Sequence, residues 1–165
     1  MELKPFDAAA APRISSWAPA ADEVWAWCSR RDAPVPADVI VQWSTAADVE
    51  AYTLGNGDEI IAYGELWLDD EEMEVELTRL IVAPAHRRLG VGRQLVAALT
   101  DLAHQRQPLA VLRVHPGNTA ARRCYAAAGF ERVTSAEEAE WNGHQPIAYV
   151  WMVSRAQEAG KPVVS

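Results

Sequence analysis

Glu74-Val75-Glu76-Leu77-Thr78-Arg79-Leu80-Ile81-Val82-Ala83-Pro84-Ala85-His86-Arg87-Arg88-Leu89-Gly90-Val91-Gly92-Arg93 decides how this chain reads. Its first half alternates polar and apolar residues and ends in the run Leu80-Ile81-Val82, the pattern of a largely buried strand, which Pro84 stops because it has no N–H to donate. Beyond it, Leu95, Val96, Leu99, Leu102 and Ala103 fall at helical spacing. Gly90 and Gly92 allow a sharp turn between the two and leave amides that no side chain shields. The first amides of a helix lack internal partners and sit at the positive end of its dipole, so a strand, a basic glycine turn and a helix start together build an anion site. Arg87, Arg88 and Arg93 add full charges. The turn is neither a dinucleotide fingerprint, which needs a third glycine where Arg93 and Leu95 stand, nor a P-loop, which needs Gly-Lys-Ser/Thr.

A second block follows. Leu109 to Val114 reads as a strand, His115 to Asn118 as a turn, and Thr119 to Ala128 as a helix with Asn118 at its N-cap and Gly129 closing it. Together the two blocks resemble the GCN5-related N-acetyltransferases. Arg87-Arg88-Leu89-Gly90-Val91-Gly92 fits every defined position of that family's acyl-CoA motif, (Gln/Arg)-x-x-Gly-x-(Gly/Ala), and Asn118-x-x-Ala121-x-x-x-Tyr125-x-x-x-Gly129-Phe130 is similar to its later Asn…Ala…Tyr…Gly-Phe block. The resemblance implies an α/β fold, with a mixed central sheet of about six or seven strands splayed between strands 4 and 5 and flanked by about four helices. It implies acetyl-CoA as the cofactor, held by Leu80, Ile81, Val82, Arg87, Arg88, Leu89, Gly90, Val91, Gly92, Arg93, Asn118 and Tyr125. Strand amides around Ile81 and Val82 would orient the pantetheine arm and polarise the carbonyl.

The implied reaction moves an acetyl group to a primary amine by direct attack in a ternary complex. Such chemistry needs a neutral amine, stabilisation of charge on the thioester oxygen and a proton for the departing thiolate. Tyr125 stands at the family's general acid, although a ring on that helix also packs well against a sheet. Glu76, eleven residues before Arg87, stands where histone-acetylating relatives carry a catalytic glutamate. Glu65 on the preceding strand is the reserve base and a possible substrate contact, and ordered water is the third alternative. Asn118 reads equally as cap and as cofactor contact. Cys124 points about 100° away from Tyr125 on the helix and reads as a small packing residue, not a nucleophile.

The acceptor pocket is expected from the first two helices and the last strands, with Trp25 and Trp141 as candidate walls among seven tryptophans. A small-molecule or protein amine is the expected partner. The net charge of −8 argues against nucleic acid and favours a cationic amine by steering. Four histidines stand without ligand spacing, so no metal is expected. The competing class is a non-catalytic module of the same fold that senses acyl-CoA or binds protein, and a longer acyl donor is a variant of the first reading.

Organisation is expected to be simple: one domain over residues 1–155 and a flexible tail over 156–165. Strands are expected at Glu2 to Phe6, Val49 to Leu54, Glu59 to Leu68, Glu131 to Thr134 and Ile147 to Val153, and further helices at Asp7 to Ser16 and Ala20 to Arg30. A turn at Asn142-Gly143 is expected between the last two strands. Two unpaired-looking cysteines, no signal-like N-terminus and no long apolar run place the protein, by expectation, in the cytoplasm and away from membranes. The apolar last strand, expected near a sheet edge, makes a homodimer plausible.

Overall fold

The computed structural model describes residues 1–157. Seven strands form one sheet in the order β1-β2-β3-β4-β5-β7-β6. They are β1 (Glu2–Pro5), β2 (Val49–Asn56), β3 (Glu59–Asp69), β4 (Glu74–Val82), β5 (Leu109–Val114), β6 (Glu131–Arg132) and β7 (Val150–Arg155). The first four run as an antiparallel meander, whereas β4 and β5 are parallel. A parallel pair needs a crossover, and α4 (Val91–Arg106) supplies it. The other helices are α1 (Ala11–Ser15), α2 (Ala21–Cys28), α3 (Ala37–Ser44), α5 (Thr119–Ala127) and α6 (Ser135–Trp141).

Alternation along the strands divides the apolar residues between two faces. Val75 and Leu77 of β4, with Ala110 and Leu112 of β5, meet Leu95, Val96, Leu99 and Ala103 on the inner stripe of α4. Tyr63 and Ile81 point the other way and are covered by Ile14, Val24 and Ile40 of α1, α2 and α3. A smaller cluster at the far edge joins Val111, Val133, Tyr149 and Trp151.

Two features of the sheet place the site. The first is a bulge: Glu65 pairs with Thr78 but Tyr63 pairs with Ile81, so β4 spends three residues where β3 spends two. Arg79 absorbs the extra residue at φ +49°. Gly64 lies opposite, and a Cβ there would stand 2.6 Å from Leu80 Cδ2 and 2.8 Å from Leu99 Cδ1, so any larger residue would make those side chains shift. The second is a splay. β4 and β5 share only the register pairs Glu74 with Leu109, Val75 with Ala110 and Glu76 with Val111, and then part.

The expected sheet and its opening between strands 4 and 5 are present, and the α-helices among the described residues number six against the expected four or so. α3 follows Pro36 and begins with Asp38 in its first turn, a helix-start signal masked by the prolines before it. α6 is opened by Thr134, whose side chain forms a capping box with Glu137. The expected turn at Asn142-Gly143 is present, with the Gln145 N–H bonded to Asn142 O at 3.0 Å, but it follows a helix: Asn142 ends α6, and its side chain bonds both the N–H and the C=O of Tyr149. The first expected helix also splits, into a 3-10 turn at Ala8–Ala10 capped by Asp7 and the short α1. Expected strand bounds shift too, since Glu131 to Thr134 shortens to two residues and β7 starts at Val150.

β7 lies one strand in from the edge. Its outer backbone at Trp151 is already engaged, the C=O by Val133 N at 3.0 Å and the N–H by Glu138 Oε2 at 3.3 Å. The open edge on which chain pairing was expected is thus occupied from within. Of the expected tail, residues 158–165 lie outside the described residues. No helix among the described residues is long and apolar enough to cross a membrane.

Candidate active site

Where β4 leaves β5, two spaces open beside the sheet. On the α4 side a narrow channel of about 100 Å³ runs between Leu80, Ile81 and Val82 of β4, Gly92, Leu95 and Val96 of α4, and Ala121, Cys124 and Tyr125 of α5. On the other side a cleft of about 330 Å³ is walled by the end of α2 from Trp25 to Ser29, by Trp67, Thr78 and Arg79, by Arg113 and His115, and by Asn118, Gln145 and Tyr149. Leu80 and Tyr125 line both. Burial pushes the Tyr125 phenol well above its usual range, with Cys124 adding to the shift, so the hydroxyl keeps its proton through neutral pH. Ser29 Oγ and Tyr149 Oη, 3.4 Å apart, bridge the rim opposite.

The mouth of the channel is the glycine turn. Arg88 at φ +61° and Gly90 at φ +79° are left-handed, and the first helical hydrogen bond of α4 is Gln94 N to Gly90 O. The amides of Val91, Gly92 and Arg93 thus precede the ladder and form a cradle for an oxyanion. Arg88, Leu89 and Arg93 are exposed around it. Arg87 is spent differently: its guanidinium donates to Val82 O at 3.0 Å, Trp17 O at 2.7 Å and Glu23 Oε1 at 3.3 Å, pinning the turn to β4 and to the start of α2. Asn118 caps α5 through Ala121 N at 3.1 Å and also lines the cleft.

The candidate bases lie elsewhere than the sequence implied. Glu65 is fully buried and outside the cleft lining, accepting from Tyr63 Oη at 2.5 Å, Trp67 Nε1 at 3.2 Å and Arg79 Nη1 at 2.8 Å. Its role is to hold Arg79 at the bulge. Glu65→Gln is expected to cost about 1.5–3 kcal/mol of stability, the range for a hydrogen bond to a charged group; urea denaturation checks this, and an unchanged midpoint would remove the role. Glu76 borders a separate hollow beside Trp67 and Glu74. Its Oε1 sits 2.7 Å from Arg113 Nε, yet it is buried without a well-aligned hydrogen bond, so the contact is an ion pair of poor angle. Burial raises the Glu76 carboxyl above the ordinary range despite the opposing pull of Arg113 and Arg79.

Of the two candidate walls, Trp25 lines the cleft with Arg31 stacked 5.0 Å from its ring, whereas Trp141 packs edge-on against Trp151 at 5.5 Å and lies outside the lining. Sequence reasoning passed over Arg79, Arg113, Trp67, Gln145 and Tyr149. The two arginines did carry a signal, because a lone charge inside the runs Leu77 to Val82 and Leu109 to Val114 interrupts otherwise buried strands. Among the described residues, no three His, Cys, Asp or Glu side chains are grouped to hold a metal ion.

A splayed sheet with an amide cradle and a pocket on each side of Leu80 and Tyr125 defines a class, and the comparisons agree. The chain belongs to the acetyltransferase (GNAT) family, whose profile matches residues 13–130. A search of the curated proteins found no match. Solved structures share the fold at low identity. Spermidine N-acetyltransferase from Vibrio cholerae, solved with CoA and spermine, superposes with a TM-score of 0.73 at 15% identity over 93% of this chain and 94% of that one. The aminoglycoside acetyltransferase AAC(6')-Ib with ribostamycin and coenzyme A gives 0.72 at 21% identity over 94% and 93%. The acetyltransferase YncA from Salmonella typhimurium, described as putative and solved with acetyl-CoA, gives 0.69 at 19% over 100% and 99%.

Proposed function

We propose that the protein is an acetyl-CoA-dependent N-acetyltransferase that works by direct attack of a primary amine in a ternary complex. The observation that carries this reading is the position of Tyr125 and Leu80, which line both the narrow channel and the wider cleft. The residues present fit acetyl-CoA. The Val91 to Arg93 amides suit a pyrophosphate, and the apolar channel from Val82 to Tyr125 suits a pantetheine arm.

Acetyl-CoA supplies an activated acyl thioester. Amides of β4 beyond the bulge, around Ile81 and Val82, orient the acyl group and hold charge on its oxygen. Tyr125, kept neutral by burial, gives its proton to the departing sulfur. The acceptor's proton passes to water in the cleft; Glu76 lies outside the cleft lining, paired with Arg113. The wall from Trp25 to Trp67 limits the competing attack by solvent.

Release of CoA thiol in the presence of an amine panel tests the reading, and its pH profile adds a sharper check. kcat/KM is expected to rise with pH as the acceptor amine loses its proton. Because the Tyr125 phenol is shifted above its ordinary 10.0, no fall is expected up to pH 10. A descending limb centred below that value would remove Tyr125 as the proton donor. Acetyl-CoA binding without turnover on any amine would replace the enzyme by an acyl-CoA sensor.

A further inference from the structure

The cleft lining contains no aspartate or glutamate, yet it contains two arginines, Arg79 and Arg113. That is unexpected in a chain with 23 acidic residues against 15 Lys and Arg. Both guanidinia are fixed from behind. Arg79 is paired with Glu65 at 2.8 Å and lies 4.1 Å from the Trp43 ring centre and 4.9 Å from that of Trp67. Arg113 is paired with Glu76 at 2.7 Å and donates to Gln145 Oε1 at 2.9 Å. Its guanidinium carbon lies 5.6 Å from the Tyr149 ring centre and 5.8 Å from that of Trp67.

Each pair is formally neutral, so discrimination comes from which end faces the cleft. An incoming molecule meets N–H donors and aromatic faces; the carboxylates lie outside the lining. A guanidinium already held by a carboxylate and flanked by rings loses little freedom on binding an oxyanion, and its planar fork matches a carboxylate. A polycation entering the same space finds no lining carboxylate to receive it, and like charges across an interface cost affinity. Arg113 is the more open of the two, its side chain 26% exposed against 19% for Arg79. A cleft of about 330 Å³ is at the small end of ligand sites.

The geometry points to a small acceptor amine that also carries a carboxylate, anchored by Arg113 and flanked by Trp67 and Tyr149. This rests on the acetyltransferase reading and narrows its acceptor. It also reverses the cationic amine expected from net charge, since no carboxylate lines the cleft and Glu23 is tied to Arg87.

The test is calorimetric titration of the whole protein, saturated with CoA, using matched acceptors: phenylalanine against phenethylamine, tyrosine against tyramine, with spermine and ribostamycin as polycations. The carboxylate-bearing member of each pair is expected to bind at least tenfold more tightly, the scale of one hydrogen-bonded charge. The double variant Arg113→Gln/Glu76→Gln, which leaves no buried carboxylate unpaired, is expected to abolish the preference, and Arg113→Lys to keep part of it. Equal affinities, a preference for the decarboxylated amines or polycations, no binding by the amino acids, or a preference that survives in the double variant would each overturn the inference. Transfer is followed separately by thiol release. A carboxylate preference without any transfer would sink the acetyltransferase reading while leaving the anion anchor standing.

Discussion

Tyr125→Phe is expected to lower kcat by about 10²- to 10⁴-fold, the range of a positioned acid, with acetyl-CoA affinity within about threefold of the wild type. The phenyl ring keeps the packing of Tyr125 against the core under α4 and α5, so the substitution removes a proton and little else. Stopped-flow thiol release at saturating acceptor, paired with calorimetry for acetyl-CoA, separates the two quantities. An unchanged kcat would mean that the sulfur takes its proton from water and that Tyr125 is a wall between channel and cleft. A fall in kcat matched by an equal loss of affinity would mean that the ring position, not the hydroxyl, had been disturbed. The environment supports the chemical role: burial makes the phenol a weaker acid than in water, which keeps it loaded at neutral pH but makes it a donor only to a strongly basic atom. In the proposed mechanism that atom is the thiolate leaving the thioester, beside the mostly apolar wall of the channel.

How much of this was legible in the sequence depends on how local each cause is. The β4-turn-α4 stretch and the Asn118 block were legible because each is a strand, a turn and a helix written contiguously, with glycine, proline and cap residues at fixed offsets. The bulge was not. Arg79 takes a left-handed conformation only because β3 and β4 pair out of step around Gly64, and pairing between strands leaves no mark on either one alone. The same holds for the bases. By strand alternation Glu65 and Glu76 share a face with the cleft, and only the third dimension shows Arg79 and Arg113 placed between them and the opening. Trp141 and Trp25 looked alike as sequence, yet Trp151, ten residues after the first, claims it for an aromatic stack. α3 and α6 were missed for a simpler reason, since both are short and their start signals sit beside prolines or a two-residue strand.

The glycine turn offers the largest effect on binding, and its geometry makes the experiment clean. Gly90→Glu is expected to weaken acetyl-CoA affinity by at least a hundredfold, because the change acts twice on the same few amides. It forces a residue with a Cβ into φ +79°, a conformation that costs an L-residue about 1–2 kcal/mol, and it sets a negative charge beside the oxyanion cradle. No atom stands within 4 Å of a Cβ built at Gly90, so the substitution meets backbone strain but no clash at Cβ, and the fold is expected to survive. Gly90→Ala separates the two causes: it carries the backbone strain without the charge, and about thirtyfold weaker binding is the most that strain of that size delivers. Thermal melts of both variants near that of the wild type would confirm that the loss is local. Arg87→Ala is the poorer probe, since its guanidinium ties β4, Trp17 and Glu23 together and its loss would reshape the turn as well. Undiminished affinity in Gly90→Glu would put the pyrophosphate somewhere other than the start of α4. Affinity lost equally in Gly90→Ala and Gly90→Glu would assign the site to backbone shape alone, with the helix terminus contributing no measurable field.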